Sequence, residues 1–241
     1  IRRTLGTQAH IVVRPTEEIA RVQRETRPGS TAMPKVEARA QRLRSIDQWE
    51  PLEAELARTP GVVNVSPMVS GPGFAVRGDA SKSIAIIGID PIRYNRIVSI
   101  GDKLVGGEFR VQPGEAVLGR DLALDLGIGV GDRVRLITAE NEVVTGDTFT
   151  VTGIVDLGVR DMNRRTVYVG LRTAQSLLQL PGGVSQLDLT VTDLFDAESI
   201  AKQLAAKTGL TVESWMQTNA QLLAAINAQT ITTRMIRLCV V

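Results

Sequence analysis

The sequence predicts an α+β fold, a βαβ sandwich split into two halves with a mostly-β subdomain inserted between them. Three observations predict it. A strand–helix–strand pattern occurs near the start of the chain and again near its end. The residues between are rich in alternating, β-branched segments punctuated by Gly turns. Apolar residues make up 43% of the 241 residues, enough for a substantial core, but aromatics only 3%, so that core is aliphatic.

In the first half, residues 9–13 (AHIVV) read as a strand. Residues 16–44 are polar, basic and broken by Pro28-Gly29-Ser30 and Pro34. They read as a loop of low order with a helical piece at 35–44. Residues 1–44 carry ten Lys/Arg against four Asp/Glu, within a net charge of only +2 for the chain. The basic stretch is therefore a solvated insertion, or a docking arm for an acidic partner or lipid headgroups. A helix follows over 47–59. Asp47 and Glu50 have capping-box spacing, Pro51 falls in the first turn, and Trp49, Leu52 and Leu56 share a face. Pro60-Gly61 ends it and 62–69 (VVNVSPMV) is the second strand. Ser70-Gly71-Pro72-Gly73 then reads as a domain boundary.

The middle opens with strands at 74–76 and 83–89, the latter ending in Asp90-Pro91, and a Gly-rich loop at 102–114. Residues 115–155 are the organising stretch: a strand at 116–118, a helix at 120–126 stopped by Gly127, a Gly131-Asp132 turn, and a hairpin. Val134, Leu136 and Thr138 share one face of its first strand (133–138), and 148–155 pairs back. A polar loop at 156–165 leads to a strand at 166–169 and a helix at 171–180, ended by Pro181-Gly182-Gly183.

The second half repeats the first: strand 186–191, helix 197–206, strand 210–213. Together the halves predict a ferredoxin-like α+β sandwich, residues 1–72 and 185–213, interrupted by residues 73–184. Strands 9–13, 62–69, 186–191 and 210–213 should share one sheet, with helices 47–59 and 197–206 on one face. Residues 214–241 read as one long helix that grows more apolar towards its end, like the approach to a membrane span, although Arg234 and Arg237 flank it.

Chemistry is scarce. A single Cys (Cys239) and a single His (His10) exclude a zinc or thiolate site built from this chain alone and any internal disulfide. Gly127, Gly129 and Gly131 follow a helix instead of opening one, so they form no dinucleotide loop. His10 lies in an apolar strand. Asp156, Asp161, Asp188, Asp193 and Asp196 adjoin elements, where Asp caps and forms turns, and no pair has acid–base spacing. A basic arm with few aromatics and no reading helix does not make a nucleic-acid binder. The expectation is a non-enzyme without cofactor.

The run VLGRDLALDLGIGVGDRVRL (117–136) resembles the small-helix-then-Gly-Asp-strand segment in the extracytoplasmic domains of MacB-type, lipoprotein-releasing (Lol-type) and FtsX-like ABC transporter permeases. GVVNVSPMV (61–69) is similar to their apolar strand, and Ser214-Trp215 with Asn219-Ala220 and residues 222–226 to their strand–Trp–amphipathic-helix segment. The resemblance implies a MacB-like periplasmic core, carried between two transmembrane helices at the inner membrane. It implies as partners an ATPase, a second permease subunit in a homo- or heterodimer, and a periplasmic adaptor or carrier. Candidate partner or coupling residues are Glu140, Asn141 and Glu142 at the hairpin tip, Arg160, Asp161, Arg164 and Arg165, and Trp215 where the last strand meets the helix. The hairpin connection at 139–147 (AENEVVTGD) is short and Pro-free, unlike the long arm of carrier-recruiting members. The alternative reading is a soluble periplasmic adaptor or protein-binding module.

Overall fold

The computed structural model describes residues 8–16, 44–140 and 143–218. The expectations for the basic insertion and for the long C-terminal helix fall largely on residues 17–43 and 219–241, outside the described residues.

In chain order the elements are β1 (Ile11–Arg14), α1 (Trp49–Ala57), β2 (Val62–Arg77), β3 (Ala80–Ile89), α2 (Pro91–Ile97), β4 (Leu104–Gly107), β5 (Glu115–Gly119) and α3 (Arg120–Leu126). There follow β6 (Arg133–Glu140), β7 (Val143–Val155), α4 (Arg160–Arg165), β8 (Thr166–Gly170), α5 (Leu171–Leu177), β9 (Gln186–Val191), α6 (Ala197–Thr208), β10 (Thr211–Ser214) and α7 (Trp215–Thr218).

The two halves of the chain meet in the order β10-β1-β9-β2, antiparallel throughout. These are the four strands expected to share a sheet. Ile11, Val13, Val65, Leu187, Leu189 and Val191 point to one face and form a single cluster with Leu56 of α1 and Ile200, Ala201 and Leu204 of α6. The period-2 and period-3.6 patterns converge there, as burial of one sheet face under two helices requires.

β2 joins this sheet to the rest. It runs 16 residues without a break, pairing with β9 over its first half and with β3 and β6 over its second. Ser70-Gly71-Pro72-Gly73, expected to separate two domains, therefore lie inside a strand. The reason is local. The Ser70 N–H donates to Ser185 Oγ, on the β9 side, so the nitrogen of Pro72, two residues on, faces the same edge. That edge has no ladder partner between Met68, paired with β9, and Phe74, paired with β6, so the missing N–H costs nothing. Gly73 lets Ile86 and the Ile137 carbonyl approach to within 3 Å of where its Cβ would stand.

Beyond that point the strands close on themselves: β2-β3-β8-β5-β7-β6 and back to β2. Six strands between Val62 and Gly170 thus form a closed ring. Burial along β2 changes accordingly, from residues 65–69 all buried to an alternating pattern over 70–75, the signature of one face in a barrel and one in solvent. β5 and β8 are antiparallel neighbours, so the helices that follow them, α3 and α5, stand at opposite ends of the ring. Both contribute buried residues to the main core, Leu122, Ala123 and Leu126 from one, Ala174 and Leu177 from the other. A second core of Met68, Ile89, Tyr94, Ile97, Val117 and Tyr168 lies on the other side.

Several local expectations are corrected. α1 is not closed by a capping box: Gln48 occupies the N-cap in the left-handed region without a side-chain bond, and Asp47 instead accepts from Ser45 Oγ. Asp90-Pro91 does not merely end β3. Asp90 caps α2, accepting from the Ile92 and Arg93 N–H groups, with Pro91 in the first turn. The 102–114 loop contains β4, and the polar 156–165 loop folds as α4, whose one buried side chain is Asn163. α5 ends at Leu177, earlier than Leu180.

Candidate coupling joint and distal face

The described fold begins and finishes at one place. β1 and β10 pair with Ile11 opposite Ser214, so the chain comes in and goes out side by side. Trp215 is pinned there. It is 6% exposed, its backbone N–H donates to the His10 carbonyl at 2.8 Å and its indole Nε1–H to the Leu194 carbonyl at 2.8 Å. His10 Nδ1 accepts from the Val191 N–H at 3.0 Å, which requires a neutral ring, and burial holds its pKa below the usual histidine value. Glu198, in the first turn of α6, accepts from Ser214 Oγ and from Gln217 Nε2; those bonds, the serine's foremost, lower its pKa. Backbone, indole, imidazole and carboxylate thus fix one short joint.

The opposite end of the ring carries α3, α4 and the β2–β3 turn. Asn163 anchors α4: its Oδ1 accepts from the Leu157 N–H at 2.7 Å and its Nδ2 donates to Asp156 at 2.8 Å. That bond, with the Gly158 N–H and the Arg120 guanidinium, lowers the Asp156 pKa. Arg164 and Lys82 both approach Asp125 of α3, at 3.6 and 3.8 Å. Around these charges Leu124, Val159 and Met162 are exposed by 71%, 51% and 50%.

The candidate residues therefore do not form one site. Arg160, Asp161, Arg164 and Arg165 lie on α4, and all four are exposed. Glu140 ends β6, and Asn141 and Glu142 lie outside the described residues. β7, 13 residues long, separates its own start at Val143 from α4 by about 40 Å at strand rise. β6 runs antiparallel to β2, so its Glu140 end lies away from the α3 end of the ring. Trp215 stands apart from both groups, at the joint. Sequence reasoning missed the roles of His10 and Glu198, whose partners lie on other elements of the chain, and of Asn163, whose partners Asp156 and Leu157 lie nearby in a segment read as a polar loop.

Between sheet and ring lies an open cleft of about 630 Å³, lined by Trp49, Pro67, Pro91, Arg93, Leu171 and Arg172 among others. Arg93 there is held by Glu53 of α1 at 2.6 and 2.8 Å. Among the described residues no group of three or more His, Cys, Asp or Glu is placed to hold a metal ion, and no helix is long and apolar enough to cross a membrane.

Residues 6–207 match the family model of the MacB-like periplasmic core domain. The lipoprotein-releasing system transmembrane protein LolC of Xylella fastidiosa is 26% identical over 192 residues, 75% of this chain and 46% of its own. LolC of Neisseria meningitidis is 27% identical over 193 residues, with the same coverage. The chain thus spans about half the length of these relatives. Among solved structures, the periplasmic region of MacB from Actinobacillus actinomycetemcomitans superposes with a TM-score of 0.56 at 15% identity, over 92% of this chain and 95% of that one. The extracellular domain of the transporter YknZ from Gram-positive bacteria gives 0.50 at 14%, over 70% and 89%. The mixed α/β fold is thus that of the MacB periplasmic region, and the chain belongs to the MacB-like periplasmic core domain family of ABC transporter permeases.

Proposed function

We propose that this domain is the mechanical, non-catalytic periplasmic part of an inner-membrane ABC permease. ATP-driven movement of an associated ATPase would reach it through membrane segments flanking the joint, and it would act beside a second permease subunit to export or release a lipophilic substrate or lipoprotein. The single observation that carries this reading is the joint. Ile11 lies opposite Ser214 and Trp215 is fastened to β1 through His10 and to the start of α6 through Leu194, so displacement of the paired ends is delivered to the whole sheet. The strand order β10-β1-β9-β2 supports a split ferredoxin-like sandwich, residues 1–72 and 185–213, into which 73–184 is inserted. With the joint facing the membrane, α3 and α4 are farthest from it. Their exposed Leu124 and Met162 beside Arg160, Asp161, Arg164 and Arg165 are the surface offered to an adaptor or carrier, and β6 runs from that end towards the membrane.

In the full-length transporter, Trp215→Ala should depress export while leaving ATP hydrolysis largely intact. The stability cost is about 3–5 kcal/mol, so the variant is first checked for folding. Unchanged export by a folded variant would refute the coupling role. If the protein is instead a soluble adaptor, fractionation finds the natural full-length form free of the inner membrane.

A further inference from the structure

We propose that Asp188 is a proton-operated latch between the four-stranded sheet and the ring. Asp188 lies on β9, 4% exposed, on the face turned away from α1 and α6. One oxygen accepts from Gln186 Nε2 at 2.7 Å. Directly across the strand pair stands Ser66, fully buried, its hydroxyl without a hydrogen-bond partner among the described residues. α2 packs on β2 and β9, and its Tyr94, 7% exposed, clusters with Met68, two residues beyond Ser66 on the same face of β2. Tyr94 in turn packs against the ring of Tyr168 of β8, centroids 6.1 Å apart. α2, which follows directly from β3, is therefore tied to the ring at one side and seated over a buried carboxyl at the other.

The charged and titratable neighbours decide how that carboxyl behaves. From β1, Arg14 faces it, but its guanidinium is also held by Glu213 of β10 at 3.0 Å and is half exposed. His10, one step beyond Val12 on the same face, is engaged with Val191. β2 offers only neutral groups, Ser66 and Asn64. Burial raises Tyr94 well above the usual phenol value and Tyr168 to about 12, so both stay neutral at physiological pH. The ionised carboxylate thus has one neutral donor and one distracted cation. Its desolvation dominates and lifts the pKa to about 7.

The sign follows from which state holds the proton. With α2 seated, Asp188 keeps its proton up to about pH 7; with α2 lifted and water admitted, it titrates as an ordinary carboxyl, about 3.9. The seated state is fully favoured in acid. It weakens by about tenfold per pH unit as pH rises between those values, and is insensitive above the upper one.

This inference does not rest on the transport reading, because it is measured on the 241-residue chain itself. Hydrogen-exchange protection factors of the α2 amides should fall about a hundredfold between pH 5 and pH 7 and then level. Amides of β6 and β7 should change far less. The carboxyl carbon of Asp188 should titrate by NMR with a midpoint near 7. Asp188→Asn should hold α2 protected at all pH values. A midpoint near 4, protection without pH dependence, an equal fall at every amide, or an unchanged slope in Asp188→Asn would each overturn the latch. Should the Asn variant not fold, the two wild-type measurements decide.

Discussion

The ring contains two copies of one local design that differ in how they are locked. β5 enters α3 through Gly119 and β8 enters α5 through Gly170. Each strand has five residues and each helix seven. The two glycines have nearly the same conformation, φ −66° and ψ 144° against φ −63° and ψ 147°. Leu118 and Val169, Ala123 and Ala174, Leu126 and Leu177 occupy matching buried positions. Each glycine is also crossed closely by backbone from elsewhere, Asn163 over Gly119 and Val111 over Gly170. The fastenings differ. Asn163 is held by polar bonds to Asp156 and Leu157, whereas Val111 is held by its apolar side chain in the second core. At the distal crossing the crossing residue itself is thus pinned by directional side-chain bonds, whereas beside the sheet Val111 is held by packing, and the polar bonds fall on its neighbours Arg110, to Thr152 and Glu115, and Gln112, to Glu115. The first should be stiff and intolerant of displacement, the second adaptable.

Gly119→Ala breaks the distal copy. Any residue tolerates its φ, so the cost is steric: the new Cβ would stand 2.2 Å from the Asn163 carbonyl oxygen and under 3 Å from two more backbone atoms. We expect a loss of about 3 kcal/mol, read by urea denaturation. Asn163→Ala removes the pins and strands the Leu157 N–H, for a loss of about 2 kcal/mol with faster exchange in α4. No truncation at Val111 should loosen a helix in this way. Gly170→Ala is the mildest. Only the Val111 oxygen, at 2.7 Å, lies in the way, and a residue held by its side chain can yield by the few tenths of an ångström needed, so we expect about 1 kcal/mol. Equal costs for the two glycine variants would erase the distinction.

Much of this design is legible in the sequence and some is not, for physical reasons. Residues 120–126 and Gly127 carry a helix and its stop in local chemistry, and α3 with its left-handed Gly127 (φ 63°) forms there. The four strands of the sheet are legible from apolar alternation. Ring closure is not, because Phe74 pairs with Ile137 across a separation no local pattern encodes. Gly71 and Gly73 read as punctuation because absence of a side chain looks the same in a turn and in a crowded barrel. α4 has one buried side chain, a polar one, so it shows no apolar period. Asp188 reads as a turn former, yet it is flanked by Leu187 and Leu189 on a strand covered on both faces. Asp90-Pro91 does carry a helix-start signal, visible once Asp is read as a cap.

The pairing of Ile11 with Ser214 also sets how the domain answers to force. If both ends are pushed or pulled together, the load enters β1 and β10 in common and the sheet moves as a unit. If they are pulled apart, the load falls on the hydrogen bonds of a four-residue strand pair, which break in succession from that end, as a zipper opens. β10 is an edge strand, so nothing on its far side resists the peeling. The fold is therefore strong to common motion and weak to differential motion.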